Sequence, residues 1–403
     1  MLTYQQARNV VVEQAAAKLR PRQAENIAIH HALGRVLAAE VRADRAYPPF
    51  NRSTRDGYAV RANDAVAGAK IRCVGEIKAG DTVVQPLAFG TSVQIMTGAA
   101  VPSGADAVVM IEHTQRDGDM VTFDRDARAG QNVVPHGSEA AANQLLLPAG
   151  TRLGYAELAI AAQVGAAQLS CYRKPRVAIL STGDEVVLVD QTPGPFQIRN
   201  SNSVSLAAQA HLAGGEPVLL GNAADTIEDL RRKIATGLEA DMLVLSGGVS
   251  MGKYDLVETV LKDLGAQFFF DAVAIRPGKP TVFGKCGDSF VFGLPGNPVS
   301  TMVTFELFAV PAIDLLSGAD ARPLPLLTAT LAEPMNEKPG LTHFLPGRLA
   351  WPNSTPEVKP LRWQGSGDIA ALAQANCFIV VPADRETLAA GDPVELLPRR
   401  DVL

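Results

Sequence analysis

Cysteine is scarce. The 403 residues contain four, Cys73, Cys171, Cys286 and Cys377, far apart and without a CxxC pair. That usage fits a reducing cytoplasm and argues against zinc, leaving packing as their role. The six histidines show no metal-ligand spacing. A positive excess is also missing. The net charge of −5 excludes broad attraction to nucleic acid or to a membrane surface, so an anionic ligand has to be met by local charge. No uninterrupted apolar stretch approaches the ~20 residues of a membrane helix. The start, "MLTYQQARNVVVEQAAAKLR", lacks the basic region and apolar core of a signal peptide. Repeats and low-complexity tracts are absent.

What remains is ordinary globular composition, 47% hydrophobic and 20% charged. The length suits about two to four domains. Thr3 and Gln6 form a capping box for an amphipathic helix with Val10, Val11 and Leu19 as its stripe and Pro21 as its stop. Residues 1–45 read as mainly helical. Residues 46–145 carry short, turn-rich segments, and "LLLPAGTRLGYAELAIAAQVG" returns to helix. From Lys174, strands such as "RVAILST", "EPVLLG", "DMLVLSGG" and "SFVFGLPG" alternate with helical stretches. That pattern predicts a mostly parallel sheet with helices on both faces. After "ARPLPLL" short strands return.

The expected fold class is therefore α/β multidomain. It combines a three-layer α/β/α domain (174–320), a small β-rich inserted domain (46–145), an N-terminal helical or extended linker domain (1–45 with 146–173) and a C-terminal β-barrel-like domain (321–403).

Open α/β sheets bind ligands beyond the carboxyl ends of their strands. Three loops there are rich in glycine and hydroxyl groups. "STGDE" holds Ser181, Thr182, Gly183, Asp184 and Glu185. "SGGVSMGKYD" holds Ser246, Gly247, Gly248, Ser250 and Asp255. "GLPGNPVS" holds Pro295, Gly296 and Asn297. At a helix start, free N–H groups and the helix dipole favour an anion. Each loop alone also reads as a plain turn; three on one sheet edge point to a phosphate-bearing ligand. Asp184, Glu185, Asp225 and Asp255 would repel such a ligand unless a hard divalent cation joins them to it. Asp225 alternatively caps the helix "TIEDL". Arg276 and Lys279 in "AIRPGKP" suit an oxyanion or a solvated basic turn.

Taken together, "RDGYAVRAND", "QIMTGAAVPSGADAVVM", "PAGTRLG", "ILSTGDEV", "LSGGVSMGKYD", "AIRPGKP", "GLPGNPVS" and "NCFIVV" resemble, in order and over nearly the whole chain, the MoeA/gephyrin E-domain family of molybdopterin molybdenumtransferases. "STGDE" and "SGGVS" alone would also admit the smaller adenylyltransferases. The resemblance implies insertion of molybdate, as substrate, into adenylylated molybdopterin with Mg²⁺ and release of AMP. It implies an elongated homodimer with a cleft shared between subunits, and a molybdopterin adenylyltransferase as a further partner. It assigns Asp56 and Thr97 to the small domain's functional positions. Glu185, Asp225 and Asp255 become the acidic, metal-binding and catalytic set. Arg276 and Lys279 become the basic loop, and Ser366 of "GSGD" the C-terminal domain's serine.

Glu139 stands where relatives often have aspartate. Two departures bear on the oxyanion ligands: Ala272 and Pro346 replace basic residues common in relatives. Arg348, two residues beyond Pro346, faces the same side of its strand if the alternation holds, and is a solvated surface arginine if Gly347 breaks it. A non-enzymatic scaffold, and an enzyme acting on an unrelated pterin or nucleotide, are the other function classes.

Overall fold

The structure, a computed structural model, describes residues 1–17, 23–81, 84–248 and 256–402. A six-stranded sheet lies at its centre, in the order Glu216–Ala223, Arg176–Thr182, Met242–Ser246, Ser289–Leu294, Val282–Cys286, Gln267–Phe270. The first four strands are parallel, and antiparallel pairings finish the edge. Met242–Ser246 and Ser289–Leu294 are buried throughout, as continuous apolar runs must be when helices cover both faces. Successive side chains point to opposite faces. Val177, Ile179, Val244 and Phe292 share a core with the helices Ser201–Ala213, Pro298–Leu316 and Tyr4–Ala17. Ala178, Leu180, Leu243 and Leu245 pack instead against Ile227–Gly237 and Leu256–Asp263. This is the expected three-layer arrangement.

The capping box forms as read: Thr3 N–H donates to Gln6 Oε1 at 3.0 Å, and Gln6 N–H to Thr3 Oγ1 at 3.2 Å. Tyr4, Ala7, Val11 and Ala15 then recur at helical spacing and enter the central core. Leu19 and Pro21 lie outside the described residues. The expected helical character to residue 45 is not found. Ala24–Ala28 is a strand paired with Gln168–Tyr172, and Val41–Arg42 pairs with Leu145–Leu147. These partners lie more than a hundred residues downstream, so local pattern could not reveal them. The anticipated second helix is confined to Tyr155–Gln163. Residues on both sides of the insertion, including Leu37, Val41, Leu153 and Cys171, share one core.

The small β-rich region is a six-stranded sheet, ordered Ala107–Met110, Gly57–Val60, Thr91–Ile95, Lys70–Ile77, Met120–Phe123, Thr114–Asp117. Gly57–Val60 is buried on both sides, with Tyr58 and Val60 in one cluster and Ala59 in another. Near the C-terminus, Thr342–Ala350, Glu357–Pro360, Leu327–Leu331, Pro393–Pro398 and Cys377–Val381 form a five-stranded barrel. It closes because Cys377–Val381 pairs back onto Thr342–Ala350. Ile275–Arg276 adds to this barrel beside Thr342 and His343, which stitches the basic loop to it.

Pro298–Leu316 is a single 19-residue helical run of mean hydropathy 1.6, long and apolar enough to cross a membrane by composition alone, yet 83% of that stretch is buried in the protein. Glu306 and Asp314 interrupt its apolar run, and a π-helical stretch occupies Phe305–Ala309. Pro311 has no N–H for the Leu307 carbonyl, and Arg8 Nη1 supplies that donor at 3.1 Å.

Asp314, fully buried, accepts from Arg152 Nη2 at 2.9 Å, and from Arg322 Nη2 at 2.5 Å and Nε at 3.0 Å. One carboxylate thus joins the discontinuous region, the long helix and the segment leading to the barrel. Removing one member of a buried ion pair strands the others, at about 3–5 kcal/mol. D314A should destabilise the chain by that order in denaturant melts. D119A, which removes the exposed Arg72–Asp119 contact of 2.9 Å, should cost no more than about 1 kcal/mol.

Candidate active site

A cavity of about 770 Å³ opens at the carboxyl ends of the parallel strands. Arg176–Thr182 delivers Ser181 and Thr182 to its floor, and Gly183 turns the chain away. Gly183 has φ +120°, and a Cβ there would stand 2.5 Å from Glu185 Oε2. Glycine therefore allows the Glu185 carboxylate to fold back along the wall. Met242–Ser246 delivers Ser246, Gly247 and Gly248. Gly248, at φ +63°, packs on the first loop so closely that a Cβ would lie 2.6 Å from Thr182 Oγ1. The third loop brings Pro295, Gly296 and Asn297. Its Gly296 lies beside Gly247, where an added Cβ would stand at ordinary contact distance, 3.5 Å from the Gly247 Cα. The three loops read as a ligand edge thus form one cavity, with Glu185 and Asp225 in its wall.

Two details of the anion reading change. The first loop does not run straight into a helix: Val186–Val187 and Ile198–Arg199 pair before the helix begins at Ser201. The third loop does precede a helix, but Pro298 has no N–H and Val299 N–H donates to Ser366 O at 3.0 Å. Gly247 N–H donates to Leu294 O at 3.2 Å. Among the described residues, these N–H groups of the expected cradle are therefore consumed within the protein.

Asp225 is not a helix cap. Thr226 caps Ile227–Gly237 by accepting from Asp229 N–H at 3.3 Å. Asp225 N–H instead donates to Asp184 Oδ1 at 3.1 Å. Burial, followed by the neighbouring charges of Asp184 and Glu185, holds the Asp225 carboxyl above its usual range. Among the described residues no group of three His, Cys, Asp or Glu side chains converges as a metal site. Ser250 and Asp255 lie outside the described residues.

The other expected positions do not line the cavity. Ser366 stands behind its wall: Asn297 Nδ2 donates to Ser366 Oγ at 2.8 Å, and the neighbouring Gly367 and Ile369 do line it. Arg276 and Lys279 are exposed on the loop next to Pro280, which reaches the wall. Asp56 and Thr97 lie together in the small sheet region, where Asp56 Oδ1 accepts from Thr97 N–H at 2.6 Å and Oγ1 at 2.8 Å. These bonds, the backbone one first, hold the Asp56 carboxyl below its usual range. Glu139 is paired with Arg52 at 2.9 Å.

Arg348 keeps the strand alternation that its reading needs. Leu345 and Leu349 face the barrel interior, and a Cβ at Gly347 would meet Ile379, Val358 and Cys377. Positions 346 and 348 thus share the outer face. Arg348 Nη1, however, donates to Gln374 O at 3.1 Å, at the end of the helix Ile369–Gln374 away from the cavity.

Several lining residues escaped the sequence reading: Arg199, Asn200, Ser201 and Asn202. Arg199 is the one lysine or arginine in the wall among the described residues. Asn200 caps Ser201–Ala213 by accepting from Ser203 N–H at 3.0 Å, and its Oδ1 also accepts from Ser181 Oγ at 3.1 Å. Asn202 Nδ2 donates to Ser246 Oγ and to Gly296 O, both at 2.7 Å. The available signal was the polar helix start "RNSNS", an unusual density of side-chain amides and hydroxyls facing a ligand edge.

Comparison with known proteins adds an independent line. The MoeA N-terminal region (domain I and II) matches residues 2–165, the "Probable molybdopterin binding domain" matches 178–315, and the MoeA C-terminal region (domain IV) matches 328–398. The "Molybdopterin molybdenumtransferase" of Haemophilus influenzae is 33% identical over 413 residues, covering 100% of both chains. That of Nostoc sp. is 36% identical, covering 90% of this chain and 86% of its own. A crystal structure of a molybdopterin biosynthesis MoeA protein from Pyrococcus horikoshii superposes with a TM-score of 0.82 at 25% identity, covering 99% of this chain and 100% of that one. With all three regions matched in order and relatives aligned from end to end, the chain belongs to the MoeA family of molybdopterin molybdenumtransferases.

Proposed function

We propose that this enzyme of molybdenum cofactor biosynthesis binds adenylylated molybdopterin in the cavity at the sheet's carboxyl edge, inserts molybdate at the dithiolene with Mg²⁺ and releases AMP. The observation that carries the reading is the meeting of three polar loops around a cavity with carboxylates and a cation in one wall. Thr182 and Ser246 offer hydroxyls to phosphate oxygens, Ser181 spends its single O–H on Asn200 Oδ1 and so shapes the floor instead, and Arg199 offers charge at the rim. Ser250 belongs to the same loop set. Arg276 and Lys279, with Arg348 as a further candidate, meet the molybdate oxyanion.

Glu185, Asp225 and Asp255 would hold Mg²⁺. The donor chemistry suits it: burial and then its acidic neighbours already disfavour the charged form of Asp225, and Mg²⁺ characteristically takes one or two carboxylates together with substrate phosphates rather than an all-protein cage. When bound, Mg²⁺ supplies Lewis-acid polarisation of the phosphoanhydride. Asp225 and Glu185 orient that charge toward the substrate's phosphates, and the polar loops hold the departing AMP end away from the pterin. Asp56, kept ionised by Thr97, serves the same cleft from the small domain of a partner subunit in a cytoplasmic homodimer. A molybdopterin adenylyltransferase would hand over the substrate.

Adenylylated molybdopterin incubated with the chain, Mg²⁺ and molybdate should yield AMP in a molybdate-dependent manner. Intact substrate after prolonged incubation would sink the reading.

Asp225 generates a pH test. Its carboxyl titrates above the ordinary 3.8 in the fold. Its favourable contribution is therefore complete below pH 3.8 and is lost as pH rises through the raised value. D225N should lose turnover yet melt higher than the wild type at neutral pH, with the gain fading toward pH 3.8. Added Mg²⁺ should raise the wild-type melting temperature more than that of D225N. A variant that melts lower at neutral pH would contradict this account.

The shared cleft has its own test. Co-expressed D56A and D225A chains should recover up to about a quarter of wild-type activity, because half of randomly mixed dimers carry one intact site of two. Mixed dimers without activity would place both residues in one subunit's site.

A further inference from the structure

The sheet ladder holds the second and third loops together only as far as the Ser246–Leu294 pair. Beyond it, Gly247 N–H still reaches Leu294 O, and both loops then leave the ladder to form the cavity floor. Asn202, on the neighbouring helix, reaches across this gap. Its single Nδ2 group donates to Ser246 Oγ on one loop and to Gly296 O on the other, each at 2.7 Å.

The carboxamide cannot be turned over. A carbonyl oxygen only accepts, so the group facing Gly296 O must be the NH₂. The orientation leaves Asn202 Oδ1 buried with no hydrogen-bond partner among the described residues. A buried unpaired acceptor is costly and calls for an explanation. Helix formation does not supply one, because Asn200 already caps the helix. The two donated bonds do.

We propose that Asn202 is a positioning residue: its NH₂ group sets the spacing of the Ser246–Gly248 and Pro295–Asn297 loops, and thereby the width of the cavity that takes the pterin substrate. This rests on the function proposed above. The role goes beyond stability, since the bonded atoms belong to the walls of the cavity rather than to its core.

The test compares wild type, N202A and N202D by equilibrium binding of molybdopterin, followed by pterin fluorescence, between about pH 8 and about pH 3.5, which spans the ordinary aspartate range, alongside thermal melts. N202A should weaken binding at least tenfold across the range. N202D is isosteric. Its carboxylate cannot donate and repels Gly296 O, so it should bind at least as weakly as N202A at high pH. As pH falls, its protonated carboxyl can donate one hydrogen bond to Gly296 O, and affinity should recover. Arg199, Glu185 and Asp225 share the wall and are present in both variants, so the difference between N202D and N202A isolates position 202. If N202A fails to fold, the pH dependence of N202D beyond that of the wild type decides. Binding within twofold of wild type in both variants, or N202D without recovery at low pH, overturns the inference. No molybdopterin binding by the wild type would overturn the proposed function itself, and this inference with it.

Discussion

Two side-chain amides at the head of the helix Ser201–Ala213 hold the cavity in shape. Asn200 grips the first loop through Ser181, and Asn202 grips the second and third through Ser246 and Gly296. From the next strand, Asn222 Nδ2 donates to Gly183 O at 2.8 Å and so fixes the turn that carries Glu185. Carboxamides suit this task because they offer donors and an acceptor without adding charge. A lysine or arginine in the same place would pair with Glu185 or Asp225 and quench the acidic wall. An acid would add to the repulsion that, after burial, raises Asp225. The neutral clamps leave the charged groups free to answer to a ligand.

The clamps need a fixed base, and the neighbouring regions supply it. The C-terminal barrel contacts the third loop through Ser366, which takes both the Asn297 amide and the Val299 N–H. It also carries the basic loop as an extra strand beside Thr342 and His343. Asp314 and its two arginines tie the discontinuous region to the helix that follows the third loop. Arg8, from the first helix, completes the hydrogen bonding that Pro311 leaves open. The Ser366, Asp314 and Arg8 contacts all end on the Pro298–Leu316 helix or its flanks. The position of that helix, set by the buried face it presents to the sheet, therefore places the barrel and the third loop together.

Strand-to-helix alternation was legible because each unit is local: "DMLVLSGG" and "DTIEDLRRKIATGLE" declare their periods within a dozen residues. The three loops were legible for the same reason. The strands Ala24–Ala28 and Val41–Arg42 were not, because their hydrogen bonds go to residues 168–172 and 145–147, and nothing in "AENIA" announces a partner so distant. Arg199 and Asn202 were missed for a different reason. Their importance depends on where a loop of a dozen residues brings the chain back after leaving the sheet, which spacing does not encode. Gly347 illustrates the converse. Glycine weakens a strand in isolation, but here the barrel's closure leaves no room for a Cβ at that position, and the alternation on which Arg348 depends survives.

The distribution of donors constrains how an anion can be held. Had the helix starts been open, backbone N–H groups would dominate, and any loop of the right shape would serve. With Val299 and Gly247 committed to Ser366 and Leu294, the proposed recognition would draw more on side chains: the hydroxyls of Thr182 and Ser246, and Arg199 at the rim. Thr182 Oγ1 and Asn202 Oδ1 are both buried without partners among the described residues. Such a site tolerates little change in loop spacing, because hydroxyls act only at hydrogen-bond range while a helix dipole acts over a turn. Close-range recognition would favour a rigid, uncharged clamp even where it leaves an acceptor without a partner among the described residues. On the proposed function, geometry would hold the ligand, and the carboxylates of the acidic wall would be left to the cation that accompanies it.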